Sequence, residues 1–284
     1  MGDEVMGRVG LVVKPGSAKA EHIALRAIRA LERRGVKPLV EEESRRSYES
    51  LRNYEAFRLE DPPGRIVVIG GDGTLLRAVM FLGRPDTVIM AVRAGKRGFL
   101  LDVEPYEVEE KIEDFLDGNY VLYEYTRLSV KHPREANACV LNDAVFIAQK
   151  SKLVSLSVDV DGVRAMNIDG DGVIVSTTVG STAYSLSAGG PIVDPRLEVI
   201  ILTPLNPVQL HLRPIVTRPD SKIQVVISQS SNPLHLSLDG QLVYDVMPGD
   251  MVTIEKCPSP ARIARFKWWE SHFERLYTRI FSYI

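Results

Sequence analysis

The sequence predicts two unlike halves: an α/β domain built on a parallel sheet, then an all-β, sandwich-like domain, with a final helix returning to the first half. Three observations predict this. Strand-like and helix-like runs alternate up to residue 118, as they do where crossover helices join parallel strands. From Asn119 onward short β-rich runs dominate, with Asp161-Gly162 and Asp239-Gly240 between strand-like flanks, as hairpin turns sit. In residues 268–284, Trp269, Phe273, Leu276, Tyr277, Ile280 and Phe281 recur at helical spacing. The expected divisions are therefore 1–118, 119–258, and 259–284 as a strand and helix packing back on the first domain.

Each element has its own signal. Residues 9–13 form an apolar strand, and Ser17 caps a helix through Arg34 whose face carries Ile23, Ala27, Ile28 and Leu31 before Gly35 ends it. Residues 36–40 are a second strand. Residues 41–65 are charged and only partly periodic, closing on Asp61-Pro62-Pro63-Gly64, and read as a weak helix and loop. Residues 66–69 are a buried strand; the helix after it starts in the run 75–82 with Thr74 near its N-cap. A strand at 87–92, a glycine-bearing turn at 94–98 and a helix at 107–116 stopped by Gly118 complete this half. Later strands are expected at 120–130, 138–148, 154–160, 173–176, 199–202, 223–227, 234–238 and 251–254, with one short helix at 181–187.

Composition narrows the function. A chain of 284 residues with 45% hydrophobic and 25% charged content is an ordinary globular protein, and a net charge of −2 offers no field for nucleic acid or a membrane surface. No apolar run approaches the ~18 residues of a membrane span, and a charged N-terminus that enters a strand at once does not read as a signal peptide. Cys139 and Cys257 lie far apart in unlike settings. They read as two reduced core thiols, in keeping with a cytoplasmic protein. The five histidines do not cluster with cysteine or acid at metal spacing.

The chemistry concentrates in three runs. In Gly70-Gly71-Asp72-Gly73-Thr74, a strand turns into a helix through a segment with few Cβ atoms to block a ligand. Backbone N–H groups and a helix N-terminus there suit a phosphate. The one carboxylate among those donors, Asp72, is costly beside an anion unless it holds a metal ion or takes a proton from an attacking hydroxyl. This is a phosphoryl-transfer pattern. The second run, residues 169–191, brackets a strand between acid–glycine pairs and a hydroxyl-rich turn in which Ser181 and Thr182 are candidate helix caps. The third is Asn142-Asp143, two adjacent polar residues in an otherwise apolar strand. A strand end explains them as readily as a ligand site.

These runs resemble the NAD kinases. The family's Gly-Gly-Asp-Gly-Thr, Asn-Asp and Asp-Gly-x-x-x-Ser-Thr-x-x-Gly-Ser-Thr-Ala-Tyr signals stand in order at 70–74, 142–143 and 171–184, with Arg213-Pro214-Ile215-Val216 and Asp239-Gly240-Gln241 after them. The glycine turn alone is shared with lipid kinases and phosphofructokinases; the run around Tyr184 with it is specific. The resemblance implies transfer of a terminal phosphoryl group from ATP or polyphosphate to the adenosine ribose 2′-hydroxyl of NAD, giving NADP. Asp72 would be the catalytic acid and would help hold Mg²⁺. Gly70, Gly71, Gly73 and Thr74 would line the phosphates, and Phe99 would lie near adenine. Asn142 and Asp143 would bind the ribose and nicotinamide side, and Asp171 would contact NAD across the site. Thr182, Ala183, Tyr184 and Ser187 would cradle the adenine and its neighbours. A homodimer or homotetramer with the NAD site near a subunit interface is also implied. Another kinase with the same glycine turn and a lipid or sugar acceptor, or a non-catalytic NAD-binding module, are the alternatives.

Two departures stand out. The family's loop Gly-Ile-Asn-x-Gly-x-Leu-Gly-Phe-Leu is Ala91-Val92-Arg93-Ala94-Gly95-Lys96-Arg97-Gly98-Phe99-Leu100 here. Arg93 and Arg97 are either solvated or structural, or they face nucleotide phosphates and alter donor preference. Val179 stands where the family carries a threonine, removing one hydroxyl from that corner.

Overall fold

The computed structural model describes residues 7–95, 98–150, 152–266 and Leu276. The chain forms two compact units, residues 1–124 with 261–284, and residues 125–260.

The first unit alternates as its apolar pattern requires: β1 (Arg8–Val13), α1 (Ala18–Arg33), β2 (Lys37–Glu41), α2 (Glu42–Ser47), β3 (Glu55–Phe57), β4 (Arg65–Gly70), α3 (Asp72–Phe81), β5 (Val88–Arg93), α4 (Val108–Asp117) and β6 (Val121–Tyr125). A last strand, Ala261–Arg265, enters between β5 and β6 to give the order β3-β2-β1-β4-β5-(261–265)-β6. Parallel pairing runs from β3 through to that last strand. Ser17 caps α1, its hydroxyl accepting the Ala20 N–H at 3.2 Å, a contact worth about 1 kcal/mol. Every second residue of the strands faces the same way. Val9, Leu11, Val13, Val67, Ile69, Met90 and Val92 therefore share a core with Ile23, Ala27 and Leu31 of α1 and Ile112 and Phe115 of α4.

This topology decides where a ligand can go. The chain leaves β1 toward β2 on one side, and β4 returns on the other side of β1. In such sheets ligands bind beyond the carboxyl ends of the strands where the order reverses. Gly70–Thr74 leaves the carboxyl end of β4 beside β1, where the Lys14 N–H donates to the Ile69 carbonyl at 2.8 Å.

The second unit contains β7 (Leu128–Lys131), β8 (Ala138–Val140), β9 (Asp143–Ala148), β10 (Val154–Val160), β11 (Val163–Gly170), β12 (Gly172–Thr177), α5 (Tyr184–Ser187), β13 (Ile200–Leu205), β14 (Ile215–Thr217), β15 (Ile223–Ile227), β16 (Leu234–Leu238), β17 (Leu242–Val246) and β18 (Met251–Lys256). They form two six-stranded sheets, β11-β10-β15-β18-β7-β8 and β14-β13-β12-β9-β16-β17. The two Asp-Gly pairs are hairpin turns: φ is positive at Asp161, Gly162, Asp239 and Gly240, and each joins an antiparallel pair, through two residues between Val160 and Val163 and three between Leu238 and Leu242, with left-handed centres as tight hairpins favour. Among the described residues no helix is long and apolar enough to cross a membrane.

Several expectations change, and one falls outside the described residues. The segment 41–65 holds a short edge strand, β3, besides its helix; β11, β14 and β17 were not expected as strands. Helix α3 begins at Asp72 with Gly71 as N-cap and no side-chain cap, so Thr74 lies inside the first turn. The expected helix of 268–284 lies outside the described residues except for Leu276, which is buried. Cys139 and Cys257 are joined in a disulfide rather than reduced. Their distance along the chain misled: β7 lies between β18 and β8, with Leu128 opposite both Lys256 and Val140, so the sheet brings the two cysteines to a Cα separation of 6.1 Å.

The disulfide closes a loop with a sequence separation of 118. In the chain-entropy model that stabilises the fold by about 4–5 kcal/mol. Thermal melts with and without reductant, and with Cys139→Ser, should show a fall of this order in both cases. Superimposable melts would refute it.

Candidate active site

At the carboxyl end of β4, Gly70 is there for packing: a Cβ on it would lie 2.3 Å from Thr74 Oγ1. Gly71 and Gly73 differ. Neither has positive φ, and a Cβ on either would meet nothing within 4 Å. A glycine inside a helix costs about 1 kcal/mol relative to alanine. With no internal demand for glycine, the open surface suits the close approach of a ligand to backbone.

Asp72, at the first position of α3 between Gly71 and Gly73, is held by the turn that follows β5. Its Oδ2 accepts the Phe99 N–H at 2.8 Å and its Oδ1 the Leu100 N–H at 3.0 Å. Two charge-assisted bonds fix the carboxylate plane. Each oxygen keeps acceptor capacity for a hydroxyl or a cation. Arg93, at the end of β5, is engaged with Glu104, its Nε donating to Glu104 Oε2 at 3.2 Å, so its charge is directed to a carboxylate of its own chain. Arg97 lies outside the described residues. The exposed Lys14, just beyond β1, is a cation at the same sheet edge that the motifs did not single out.

In the second unit Asn142 and Asp143 do not sit within one continuous strand. They occupy the bend from β8 into β9, both buried, and the reason is Asp239. Its Oδ2 accepts the Leu141 N–H at 2.7 Å, and its Oδ1 accepts those of Asn142 and Asp143 at 2.8 and 3.0 Å. Thr177 closes the other side: its hydroxyl donates to the Leu141 carbonyl at 2.6 Å and accepts the Gly180 N–H at 3.1 Å. Gly180 is obligatory there, since a Cβ would stand 2.1 Å from the Asn142 carbonyl oxygen. The Asn-Asp pair and the hydroxyl-rich run are thus one structure. Three of its buried polar atoms have no partner: Asn142 Oδ1, Ser176 Oγ and Ser181 Oγ. Such groups cost about 1–3 kcal/mol each when unpaired, which marks the bend as a strained point of the unit.

The rest of the run is distributed. Thr182 Oγ1 donates to the Val179 carbonyl at 3.3 Å, and Tyr184 and Ser187 are exposed on α5. Ala183 precedes α5 with φ −95° and ψ −132°. Neither Ser181 nor Thr182 caps α5, which is four residues long. Asp171 is exposed and accepts the Asn206 Nδ2–H at 2.7 Å. It precedes β12, whereas Asn142 lies beside the far end of β12, where Ser176 pairs with Asp143. Five residues of strand separate the two ends by about 17 Å. One copy of the unit does not bring Asp171 to Asn142.

Comparison with known proteins places the chain in a family. Residues 9–120 match the family model of the ATP-NAD kinase N-terminal domain, and residues 141–266 that of the C-terminal domain. The chain belongs to the NAD kinase family. An NAD kinase from Aeropyrum pernix is 54% identical over 279 residues, covering 98% of this chain and 99% of that protein. One from Thermococcus gammatolerans is 36% identical over 91% of this chain and 94% of its own length. Among solved structures, an NAD kinase from Archaeoglobus fulgidus in complex with ATP is 29% identical with a TM-score of 0.75, covering 95% of this chain and 97% of that one. Yeast NADH kinase complexed with NADH shares the fold, with a TM-score of 0.87 at 24% identity over 97% of this chain and 87% of that one. Asp239 stood among the family signals, but nothing in the sequence assigned it a role at the site. It was legible as a hairpin turn, and its hold on a bend about a hundred residues away leaves no local signal.

Burial pushes the Asp143 carboxyl up to about 7, helped by the nearby charge of Asp239. Burial also raises Asp239, against the pull of its three N–H donors and Arg127. An acid raised in the folded state binds a proton that the unfolded chain has already released. Stability therefore falls as pH rises from the ordinary 3.8 toward 7. The shift corresponds to roughly 4 kcal/mol at most. Urea unfolding across this range should show Asp143→Asn gaining on the wild type as pH rises; parallel curves would count against it.

Proposed function

We propose that Asp72 takes the proton of the adenosine ribose 2′-hydroxyl of NAD while that oxygen attacks the terminal phosphorus of ATP or polyphosphate, giving NADP. The new P–O bond forms as the bond to the leaving phosphate breaks, and the hydroxyl proton passes to the Asp72 carboxylate. The observation that carries this reading is the Asp72 carboxylate, clamped by two backbone N–H groups at the edge of the glycine surface. Phosphoryl transfer depends on alignment and on neutralised oxygens more than on covalent chemistry.

Gly70, Gly71, Gly73 and Thr74 line the phosphates, and Phe99, whose N–H orients Asp72, lies near the adenine. Asn142 and Asp143 bind the ribose and nicotinamide side, a reading supported by the Asn142 Oδ1, which has no partner within the unit. Thr182, Ala183, Tyr184 and Ser187 flank the adenine. Arg93 reaches a donor phosphate only by leaving Glu104. Among the described residues no cluster of three metal-binding side chains exists. The donor set thus fits Mg²⁺ held by one carboxylate, Asp72, with the remaining ligands from donor phosphates and water. Mg²⁺ bound in this way supplies charge neutralisation on the phosphate oxygens.

We also propose a homodimer or homotetramer in which Asp171 serves the NAD site of a second copy. Its remoteness from Asn142 along β12 supports this, as do the exposed Val208 and Leu210 close in sequence to its partner Asn206. The enzyme is assigned to the cytoplasm with its nucleotide substrates. The disulfide withdraws the support that reduced thiols were expected to lend.

Asp72→Asn should lower kcat for NADP formation by at least ~10²-fold while calorimetry still detects NAD binding. Full activity in that variant, or no NADP from the wild type with ATP or polyphosphate, would refute the reading.

A further inference from the structure

The last strand of the first unit ends in Arg265, whose side chain is 2% exposed. A guanidinium so buried is costly unless its donors are engaged. Its Nη1 donates both to the Leu100 carbonyl and, at 3.2 Å, to Asp102 Oδ1. Asp102 returns the contact, its Oδ2 accepting the Phe266 N–H at 3.1 Å. The segment is pinned again at Val103: its carbonyl accepts the Arg93 N–H at 2.9 Å, and its N–H donates to the Ala91 carbonyl at 3.3 Å.

Leu100 is consequently gripped on both sides of its Cα. Its N–H is on Asp72 and its carbonyl is on Arg265. The two N–H groups that fix the Asp72 carboxylate thus belong to a turn whose other end is anchored to strand 261–265. Apolar residues of equal volume would hold that strand in the sheet as well as an ion pair does. They would not hold the Leu100 carbonyl.

We propose that Arg265, with Asp102, is a positioning residue for the Asp72 carboxylate, acting through the backbone of Leu100. The proposal rests on the reading of Asp72 as the group that meets the acceptor hydroxyl. Arg265 touches no substrate; it sets the direction in which Asp72 presents its free lone pairs. Displacements on the order of 1 Å at reacting groups cost about 10²-fold in rate, so a loosened turn shows in kcat before it shows in binding.

The test compares Arg265→Met, Arg265→Lys and Asp102→Asn in the full chain, alone and with Asp72→Asn. Arg265→Met should lower kcat roughly 10- to 100-fold with KM for NAD and for the donor unchanged. Arg265→Lys should recover part of the loss, because an ammonium restores the charge and N–H donors but on a shorter stem without the planar, pre-organised fork. Asp102→Asn keeps the shape and should give a smaller loss of the same kind, which serves if Arg265→Met does not fold. In the Asp72→Asn background none of the three changes should reduce the residual rate further, because the group being positioned is gone. Amide hydrogen exchange at Phe99 and Leu100 should quicken in Arg265→Met whether or not the enzyme turns over. A raised KM at constant kcat, an undiminished further loss in the Asp72→Asn background, or unchanged exchange at both amides would overturn the proposal. Full activity of Asp72→Asn, with exchange still quickened by Arg265→Met, would overturn the catalytic reading of Asp72 and leave Arg265 as its anchor.

Discussion

In each unit a single carboxylate collects the backbone N–H groups of consecutive residues, and the candidate site hangs on that interaction. Asp72 takes two, from Phe99 and Leu100; Asp239 takes three, from Leu141, Asn142 and Asp143. Hydrogen bonds to a charged acceptor contribute about 1.5–3 kcal/mol each, enough to hold a turn that no ladder secures. The two cases differ in burial. Asp239 is nearly enclosed, and its carboxyl is raised despite its donors, which marks it as a structural hub. Asp72 stands half-buried at a helix start, flanked by two glycines around which nothing is packed.

The architecture was legible wherever burial follows a simple period. Parallel strands buried on both faces and helices with one apolar face announced the first unit, down to Ser17 as a cap and Gly118 as a stop with φ 79°. What escaped was short or half-exposed. β3 is a three-residue edge strand and β14 another, while β11 and β17 expose residues at regular intervals and so lack a continuous apolar run. The start of α3 was placed too late because glycine, not a hydroxyl side chain, occupies its N-cap.

The site was legible as motifs but not as a connected object. Gly180 and Asn142 meet because β12 and β9 are neighbours, and sheet order is invisible to residue spacing. The same ignorance of sheet order hid the disulfide and, beyond its correctly read turn, the hold of Asp239 on the Leu141–Asp143 bend. The motif also placed Asp171 with Asn142, although they lie at opposite ends of the β9–β12 pair. The substituted loop resolves in part: Arg93 has a carboxylate partner in its own chain, which explains how a cation is accommodated at that position.

The central claim is that the Asp72 carboxylate meets the acceptor hydroxyl. A crystal structure of the Asp72→Asn variant with NAD and a non-transferable donor analogue tests it most directly. The account predicts the ribose 2′-oxygen within about 2.6–3.2 Å of the residue-72 side chain, with the donor phosphates over Gly71 and Gly73. NAD bound with that hydroxyl turned away from residue 72 would contradict it.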